Sequence, residues 1–298
     1  MATKLRTLLD QHEQDIALVI GNGINRYGTA PSTNSWQALL EVLSKKILPA
    51  PQPIPEGVSL TEVYDLLALQ HDSSSAEKAL QKQFCELMQD WQPYSHHRTI
   101  VSWARRTGCP LLTTNFEKVL ARAGDCTLLH ITREGFSDYY PWATYYGNDP
   151  LDLPESGFGI WHINGMEHYH RSIRLGLSHY MGSVTRARDR ILGGGRARLF
   201  SSGDIKRWRG SYTWLHLIFS RSLVILGLGL DTNEVFLRWL LIVRAQYFRK
   251  FPDRRKRAWY LHTNEPDGSG KLYFLSGVGV EPFRVGDYDE LYGADTWS

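Results

Sequence analysis

Short continuous apolar runs alternate along the chain with longer stretches whose apolar residues recur at helical spacing. A strand buried on both faces and ending in a tight turn is predicted by "DIALVIGNG" (15–23), and the helix after it by "SWQALLEVLSKKIL" (35–48), with Ser35 as its cap. The same order of strand, turn and helix recurs in "CPLLTTNFEKVLARAG" (109–124) and in "SLVILGLGLDTNEVFLRWLLIVRAQYF" (222–248). Strands that alternate with helices predict an α/β fold around a parallel sheet.

The remaining segments complete a single α/β domain over residues 1–298. Residues 50–106 carry a Pro-rich connector and then a helical pattern, which we interpret as a helical insertion between two strands. Residues 132–157, rich in Tyr, Trp, Gly and Pro, are predicted to form a loop, and residues 166–210 a second insertion. Further strands are predicted at 126–131, 158–163, 257–262, 271–275 and 278–283. The expected architecture is a central parallel sheet with helices on both faces.

Four of the predicted strands end in small or polar residues. These ends are Gly21-Asn22-Gly23, Thr113-Thr114-Asn115, Asn164-Gly165 and Gly227-Leu228-Gly229. In an open parallel sheet ligands bind at the carboxyl ends of the strands, so the four turns are expected to form one site. A nucleotide is favoured, because glycines let the backbone approach a pyrophosphate and Thr and Asn side chains hydrogen-bond a ribose or a water molecule.

Two features of these turns leave other interpretations open. The third glycine of the dinucleotide fingerprint is expected at position 26, which Arg26 occupies, so a standard dehydrogenase is disfavoured. The glycine pair is also compatible with a plain strand-to-helix turn that binds no ligand. Taken singly, Asn115 is equally suited to capping the next helix.

Together these motifs resemble those of sirtuins. "GNGIN" (21–25) resembles their Gly-Ala-Gly-x-Ser loop, "TTNFE" (113–117) their Thr-x-Asn-x-Asp motif, and "WHINGM" (161–166) lies where their His-Gly motif is expected. "LGLGLDTNE" (226–234) is similar to the late glycine-containing nucleotide loop, and "SIRLGLSHYMG" (172–182) to a segment of sirtuin-like proteins of bacterial antiphage defence, whose members hydrolyse NAD. The resemblance implies a Rossmann-like fold and NAD+ as the substrate.

The same resemblance implies roles for individual residues. Asn115 would hold a water molecule or the ribose hydroxyls during cleavage of the nicotinamide-ribose bond, and Asn25 replaces the serine of the family. The residues implied to bind the cofactor are Gly21, Asn22, Gly23, Ile24, Asn25, Thr114, Asn164, Gly227, Gly229 and Asp231. No metal cofactor is implied.

The catalytic histidine of the family has no direct counterpart. In sirtuins it immediately precedes the glycine of the His-Gly motif, and here Asn164 occupies that position. Side chains along a strand repeat their direction every two residues, so His162 shares the strand face of Asn164, and we predict His162 as the catalytic base. The alternative is that Asn164 marks an inactive site.

A zinc module is not predicted. Cys85, Cys109 and Cys126 are too few and too widely spaced for the four-cysteine ribbon of the sirtuin deacetylases, which disfavours acyl-lysine as the substrate. His168 and His170 are two residues apart, a spacing that points side chains oppositely on a strand and does not bring them to one ion on a helix. A polar surface loop is therefore favoured over a metal site for this pair.

Composition and charge narrow the choice of partners. The length of 298 residues, the net charge of +3 and the 22% of charged residues are typical of a globular protein. The basic run 248–257 is interpreted as a solvated helix end, with nucleic-acid binding as the alternative. The sequence shows neither a signal-peptide apolar region nor a run of about 18 apolar residues, so a cytoplasmic protein without membrane contact is expected.

The leading hypothesis is an NAD+ hydrolase of antiphage defence that drains NAD when an infection signal arrives. Such an enzyme must be silent at rest, so a homo-oligomer or a complex with a partner such as a defence ATPase is expected, with nucleic acid involved only indirectly. The first alternative is a catalytically inactive sensor or assembly subunit that binds NAD or ADP-ribose. A nucleic-acid-binding subunit and, last, a protein deacylase are the others.

Overall fold

The computed structural model describes residues 3–28, 34–71, 76–132, 139–193, 198–201, 204–231, 234–263 and 269–298. The strands in this part of the chain are β1 Ile16–Ile20, β2 Leu111–Thr113, β3 Thr127–His130, β4 Thr144–Gly147, β5 Ile160–His162, β6 Ser222–Leu226, β7 Ala258–His262 and β8 Glu281–Arg284. The α-helices are α1 Lys4–His12, α2 Gly23–Arg26, α3 Trp36–Ile47, α4 Leu60–Gln70, α5 Ala76–Glu86, α6 Ser95–Thr107, α7 Val119–Ala123, α8 Leu177–Leu192, α9 Leu215–Ser220, α10 Val235–Lys250, α11 Ser269–Gly277, α12 Tyr288–Tyr292 and α13 Ala294–Trp297. Short 3-10 helices cover Glu167–Ser172, Leu199–Ser201, Ile205–Arg207 and Pro252–Arg254.

These strands form one sheet in the order β3-β4-β5-β2-β1-β6-β7-β8. Strands β5, β2, β1, β6, β7 and β8 run parallel, and Val19 of β1 pairs with both Leu112 of β2 and Ile225 of β6. β3 and β4 add an antiparallel pair at one edge. The chain places β2 on one side of β1 and β6 on the other, and such a reversal of strand order is where open α/β sheets form a ligand crevice. The predicted α/β fold is confirmed, with an antiparallel edge joined to its parallel centre.

Two hydrophobic clusters cover the two faces of the sheet. In β1, Ala17 and Val19 belong to the cluster beneath α8, α9 and α10, which we call the first-face cluster. Ile16, Leu18 and Ile20 belong to the cluster against α1, α6 and α13, which we call the second-face cluster. The alternation follows from the two-residue repeat of a strand, and it confirms that helices cover both faces.

A third hydrophobic cluster lies among α3, α4 and α5, and we call it the insertion cluster. Its buried members are Leu39, Leu40, Leu43, Val63, Tyr64, Leu67, Leu80, Phe84, Cys85, Met88, Ile173 and Leu175. Helix α6 also lies between β1 and β2 in sequence, yet its residues Ile100, Val101 and Trp103 pack in the second-face cluster. The helices between β1 and β2 therefore serve two different cores.

The ends of two helices follow the predicted signals. The side chain of Ser35 accepts a hydrogen bond from the N–H of Ala38 at 3.1 Å, so the predicted cap of α3 is confirmed. Gly124 ends α7, and its N–H donates to the carbonyl of Ala121 at 3.3 Å. Among the helices of the described ranges, none is both long enough and apolar enough to cross a membrane.

Two predicted elements are wrong. The loop predicted over residues 132–157 contains β4, an aromatic strand whose four residues are all buried and which pairs with β3. The strand predicted at 271–275 is part of α11. In apolar runs this short, periodicity does not separate a strand from a buried helix, and the packing of the rest of the chain decides between them.

Candidate functional site

A cavity of about 610 Å³ opens at the carboxyl edge of the parallel sheet. The turns after β1, β2, β5 and β6 all contribute to its wall, as expected from the strand ends. The predicted residues that line it are Asn22, Gly23, Thr114, Asn115, Asn164, Gly227, Gly229 and Asp231. The volume lies within the range of ligand pockets, roughly 300–1,000 Å³.

Four other predicted residues lie behind this wall. Gly21, Ile24, Asn25 and His162 do not line the cavity. The side chains of the last three are at most 3% exposed. These four residues are therefore not in direct contact with the cavity.

The glycines of the turns after β1 and β6 pack against each other. The N–H of Gly23 donates to the carbonyl of Gly227 at 2.8 Å, and the N–H of Gly21 to the carbonyl of Leu226 at 2.9 Å. A Cβ atom on Gly21 would lie 2.4 Å from Leu228 Cγ, and one on Gly23 would lie 2.7 Å from Gly227 Cα. Gly227 also has a φ of +67°, which favours glycine. Because both N–H groups are already bonded within the protein, Gly21 and Gly23 offer a phosphate no free donor.

A buried network of polar side chains joins the turns after β1 and β2. Asn25 Nδ2 donates to Glu117 Oε1 at 2.7 Å and to Asn22 Oδ1 at 2.9 Å. The Nε2 atom of His97 lies 3.0 Å from Asn25 Oδ1. We call His97, Asn25, Asn22 and Glu117 the asparagine network. It links Asn22 on the cavity wall to the segment that carries Asn115.

Glu117 bonds to the start of α7 as well as to the asparagine network. Its Oε2 atom accepts the N–H of Val119 at 2.7 Å. Burial raises the pKa of Glu117, while the hydrogen bonds from Asn25 and Val119 act in the opposite direction. Capping of the helix after β2 was the alternative role considered for Asn115. The side chain that bonds to the first turn of α7 is that of Glu117, and Asn115 makes no capping bond there.

Asn115 is held through its backbone, which leaves its side chain to the cavity. The N–H of Asn115 donates to Thr113 Oγ1 at 3.1 Å, and its carbonyl accepts from His162 Nδ1 at 2.7 Å. Its side-chain Nδ2 is buried near Glu117 and slightly lowers the pKa of that carboxyl, although no described atom lies in hydrogen-bond geometry with it. Because Nδ2 is buried and Asn115 lines the cavity, we infer that Oδ1 is the polar atom presented to the cavity.

His162 supports Asn115 from within the protein. The ring is 1% exposed and meets the ring of Tyr146 edge to face, with centroids 5.7 Å apart. Because Nδ1 donates to a carbonyl, Nδ1 carries the proton of the neutral ring, and Nε2 is a buried acceptor that bonds to no described atom. Burial lowers the pKa of His162 to about 4, so the ring is neutral at pH 7. The role of His162 as a base stays a prediction.

The histidine-rich segment 162–179 contributes Asn164 alone to the described cavity wall. Asn164 Nδ2 makes one long hydrogen bond, 3.5 Å, to the carbonyl of Thr114. His168 and His170 lie in the 3-10 helix beyond the turn. Across the ranges that the structure describes, no three His, Cys, Asp or Glu side chains are grouped to hold a metal ion.

Five lining residues that are charged or are histidine lie outside the predicted set: Arg26, Glu117, Glu234, His262 and Lys271. Burial first, and then the nearby carboxylate of Asp231, raise the pKa of Glu234 to about 7. Of the histidines in the sequence, His262 is the one found on the described wall. Since Glu234 follows β6 and His262 ends β7, the rule that selects carboxyl strand ends applies to both and is the signal that could have found them.

The side of the cavity away from the sheet is largely apolar and aromatic. It includes Leu39, Phe84 and Met88 of the insertion cluster, with Trp36 and Trp91 beside them. Nothing in the sequence marks these residues, because apolar residues on an amphipathic helix serve a core equally well. A flat aromatic wall of this kind can stack on a nucleobase.

The basic run 248–257 lies far from this site in the topology of the sheet. It includes the end of α10 and the residues just before β7, and so belongs to the amino edge of the sheet. Lys256 Nζ pairs with Asp15 Oδ1 at 2.6 Å, and Arg257 pairs with Glu281 at 2.9 Å. The cavity and the basic run are therefore separate features.

The structure is therefore an α/β fold with a cavity at the carboxyl edge of its sheet. No protein-family model matches the chain, and no curated protein matches it. The residues of the cavity are therefore the basis for assigning a function.

Proposed function

We propose that the protein is an NAD+ hydrolase that cleaves the bond between nicotinamide and ribose. The observation that carries this proposal is the convergence of four strand ends, including Asn115, on one cavity at the carboxyl edge of the sheet. The same four turns carry the motifs that resemble those of sirtuins. A nucleotide site at this place is the common arrangement of open α/β sheets.

The charges and surfaces of the cavity suit a dinucleotide. Arg26 and Lys271 are the two cationic residues of a wall that also carries Glu117, Asp231 and Glu234, and we propose that these two cations pair with the pyrophosphate. Trp36 and its neighbours provide an aromatic surface for a base. Gly23 and Gly227 lack a Cβ, so the two turns pack closely against each other and both reach the cavity wall.

The reaction requires orientation and stabilisation of charge more than a strong nucleophile. Nicotinamide leaves as a neutral molecule while positive charge develops on the ribose. Asn115 Oδ1, the polar atom presented to the cavity, accepts a hydrogen bond from a ribose hydroxyl or from the attacking water. We propose that the proton of that water passes to the neutral imidazole of His162, which lies behind the wall, through one further water molecule.

The proposed activity also implies control. An enzyme that drains cytoplasmic NAD would harm its own cell if it were always active, so we propose that turnover requires an assembly or an activating partner. Resemblance of the motifs to those of sirtuin-like antiphage proteins supports a defence role, with a partner such as a defence ATPase. Nucleic acid would act only through that partner.

The test is release of nicotinamide from NAD+ by the purified protein, alone and with candidate activators. Asn115→Ala is expected to lower turnover by roughly 100-fold or more, because the cavity loses the oxygen that orients the reacting groups. The matched control is Asn148→Ala, whose side chain bonds to the carbonyls of Gly124 and Asp125 away from the cavity. Intact NAD+ in every assembly, or full activity of Asn115→Ala, would contradict the proposal.

One observation favours a second candidate, a non-catalytic sensor of NAD or ADP-ribose. Asn164 occupies the place of the family histidine on the cavity wall, while His162 lies behind it. A sensor would bind either nucleotide in calorimetry and release no nicotinamide in any assembly state. Binding together with turnover would exclude this candidate.

A further inference from the structure

The asparagine network defines the orientation of each of its amide groups, beginning at His97. The N–H of Tyr94 donates to His97 Nδ1 at 3.1 Å, so Nδ1 carries no proton. The proton of the neutral ring is therefore on Nε2, which donates to Asn25 Oδ1 at 3.0 Å. Burial lowers the pKa of His97 to about 3, so the ring keeps this form at neutral pH.

The next member, Asn25, has only one orientation that satisfies its neighbours. With Oδ1 accepting from His97, its Nδ2 donates to Asn22 Oδ1 and to Glu117 Oε1. A flipped amide would place N–H groups against the Nε2–H of His97 and oxygen atoms against the two acceptors. Each such buried mismatch costs about 1–3 kcal/mol, so the proton on His97 provides one of the three hydrogen bonds that set the direction of the amide.

The last step in the argument is the effect of Glu117 on the side-chain amide of Asn115. Glu117 is 2% exposed and accepts from Asn25 and Val119, and only the Nδ2 end of Asn115 can face its carboxylate favourably. Nδ2 is in fact the end of the Asn115 side chain that is buried on this side. The oxygen of Asn115 is thereby left for the cavity.

We propose that His97 is a positioning residue for Asn115: its Nε2–H orients Asn25, which holds Glu117 so that the oxygen of Asn115 faces the ligand. His97 lines no part of the cavity and touches no reacting group. The inference rests on the proposed function for its kinetic test, and it deepens that function by adding a residue from α6, which the sirtuin-like motifs do not include.

Two variants of nearly equal size separate positioning from simple packing. His97→Gln places an amide N–H near the position of Nε2 and can still donate to Asn25. His97→Asn places its polar group near the position of Nδ1, keeps a partner for the N–H of Tyr94, and loses the donor to Asn25. We expect His97→Asn to lower kcat for nicotinamide release at least tenfold with KM changed less than about threefold, and His97→Gln to retain most of the activity.

Thermal unfolding of both variants controls for a structural defect. Equal activity of the two variants, or equal losses of activity that follow equal losses of stability, would overturn the inference. A rise in KM with unchanged kcat in His97→Asn would also overturn it, because the network would then serve binding and not the orientation of the reacting groups.

A measurement without turnover keeps this inference distinct from the proposed function. In 15N NMR of protein labelled at histidine, the ring signals lost in His97→Gln identify His97. They should show the Nε2–H form without titration between about pH 5 and pH 8. A ring that titrates in this range, or that carries its proton on Nδ1, overturns the positioning role even if NAD+ is hydrolysed. Absence of turnover in the wild-type protein, with the NMR result as expected and with the side-chain amide signal of Asn115 shifted in His97→Asn but not in His97→Gln, would instead overturn the proposed hydrolase and leave the positioning role standing.

Discussion

Two regions at the edge of the same cavity are built differently: a fixed region after β1 and β2, and an incomplete region at the end of β5. After β1 and β2, the side chains of the asparagine network are bonded to one another. At the end of β5, His162 Nε2 and the neighbouring Tyr146 hydroxyl are buried without a partner among the described residues, and Asn164 makes one long bond. An unpaired buried polar group costs about 1–3 kcal/mol. The first region is fixed before a ligand arrives, whereas the second has hydrogen-bonding capacity that the folded chain leaves unused.

The largest effect is expected from a methyl group added where the fixed region meets the turn after β6. In Gly21→Ala the new Cβ would overlap Leu228 Cγ and the carbonyl of Gly227. We expect the free energy of unfolding to fall by about 3 kcal/mol, as measured by urea denaturation. The control is Gly182→Ala within α8, where a Cβ meets no atom within 4 Å, and there we expect a gain of up to about 1 kcal/mol. Equal stability of Gly21→Ala and the wild-type protein would show that the two turns are not in contact.

The next effect concerns the incomplete region and its histidine. His162→Ala removes the donor to the carbonyl of Asn115 and the acceptor nitrogen beneath it. We expect turnover of NAD+ to fall by roughly 100-fold, the usual loss for a general base or for the group that orients it. Asn164→His, measured in the same assay, should change turnover by only a few fold. Activity that appears only in Asn164→His would show instead that the native site is idle.

The smallest effect per residue is a dependence of stability on pH that both regions share. Burial lowers the pKa of His97 to about 3 and of His162 to about 4, so the folded protein favours both neutral rings. Their contribution is complete above the unfolded pKa of about 6.5 and is lost as the pH falls towards the folded values. Between pH 7 and pH 5 the free energy of unfolding should fall by about 2 kcal/mol for each histidine.

Denaturation at the two pH values, with His97→Gln and His162→Gln alongside, measures these contributions separately. Each variant should remove about half of the pH-dependent loss. A wild-type protein equally stable at pH 7 and pH 5 would contradict the burial of both rings.

The sequence predicted much of the fold because continuous apolar strands and amphipathic helices follow simple periodicities. The prediction was wrong for β4, because its aromatic residues lie in a segment rich in turn-forming residues. It was also wrong for residues 271–275, where the apolar run is too short to distinguish a strand from a helix. Lys271, in that misassigned segment, consequently could not be placed beside the cavity. These errors involve short elements whose structure is decided by their neighbours in space.

Some residues of the candidate site could be predicted from the sequence and others could not. The turns at Asn22, Asn115, Asn164 and Gly227 could be brought together from sequence because parallel strands share one carboxyl edge. The partnership of His97 with Asn25 could not, because the two residues are 72 positions apart and no local pattern relates them. The apolar side of the cavity, at Trp36 and Phe84, could not be predicted either. In a helical pattern, apolar residues that face a cavity have the same spacing as apolar residues that face a core.

The position of the insertion cluster has a consequence for partial unfolding. Leu39 and Phe84 belong to this cluster and also line the cavity, whereas the turns opposite them belong to the sheet. A molecule bound between the two would lose contacts whenever α3, α4 and α5 opened without the sheet. Its binding free energy would therefore add to the free energy of that partial opening. Slower amide exchange in these three helices would report an occupied cavity even where the exchange of the strands is already too slow to follow.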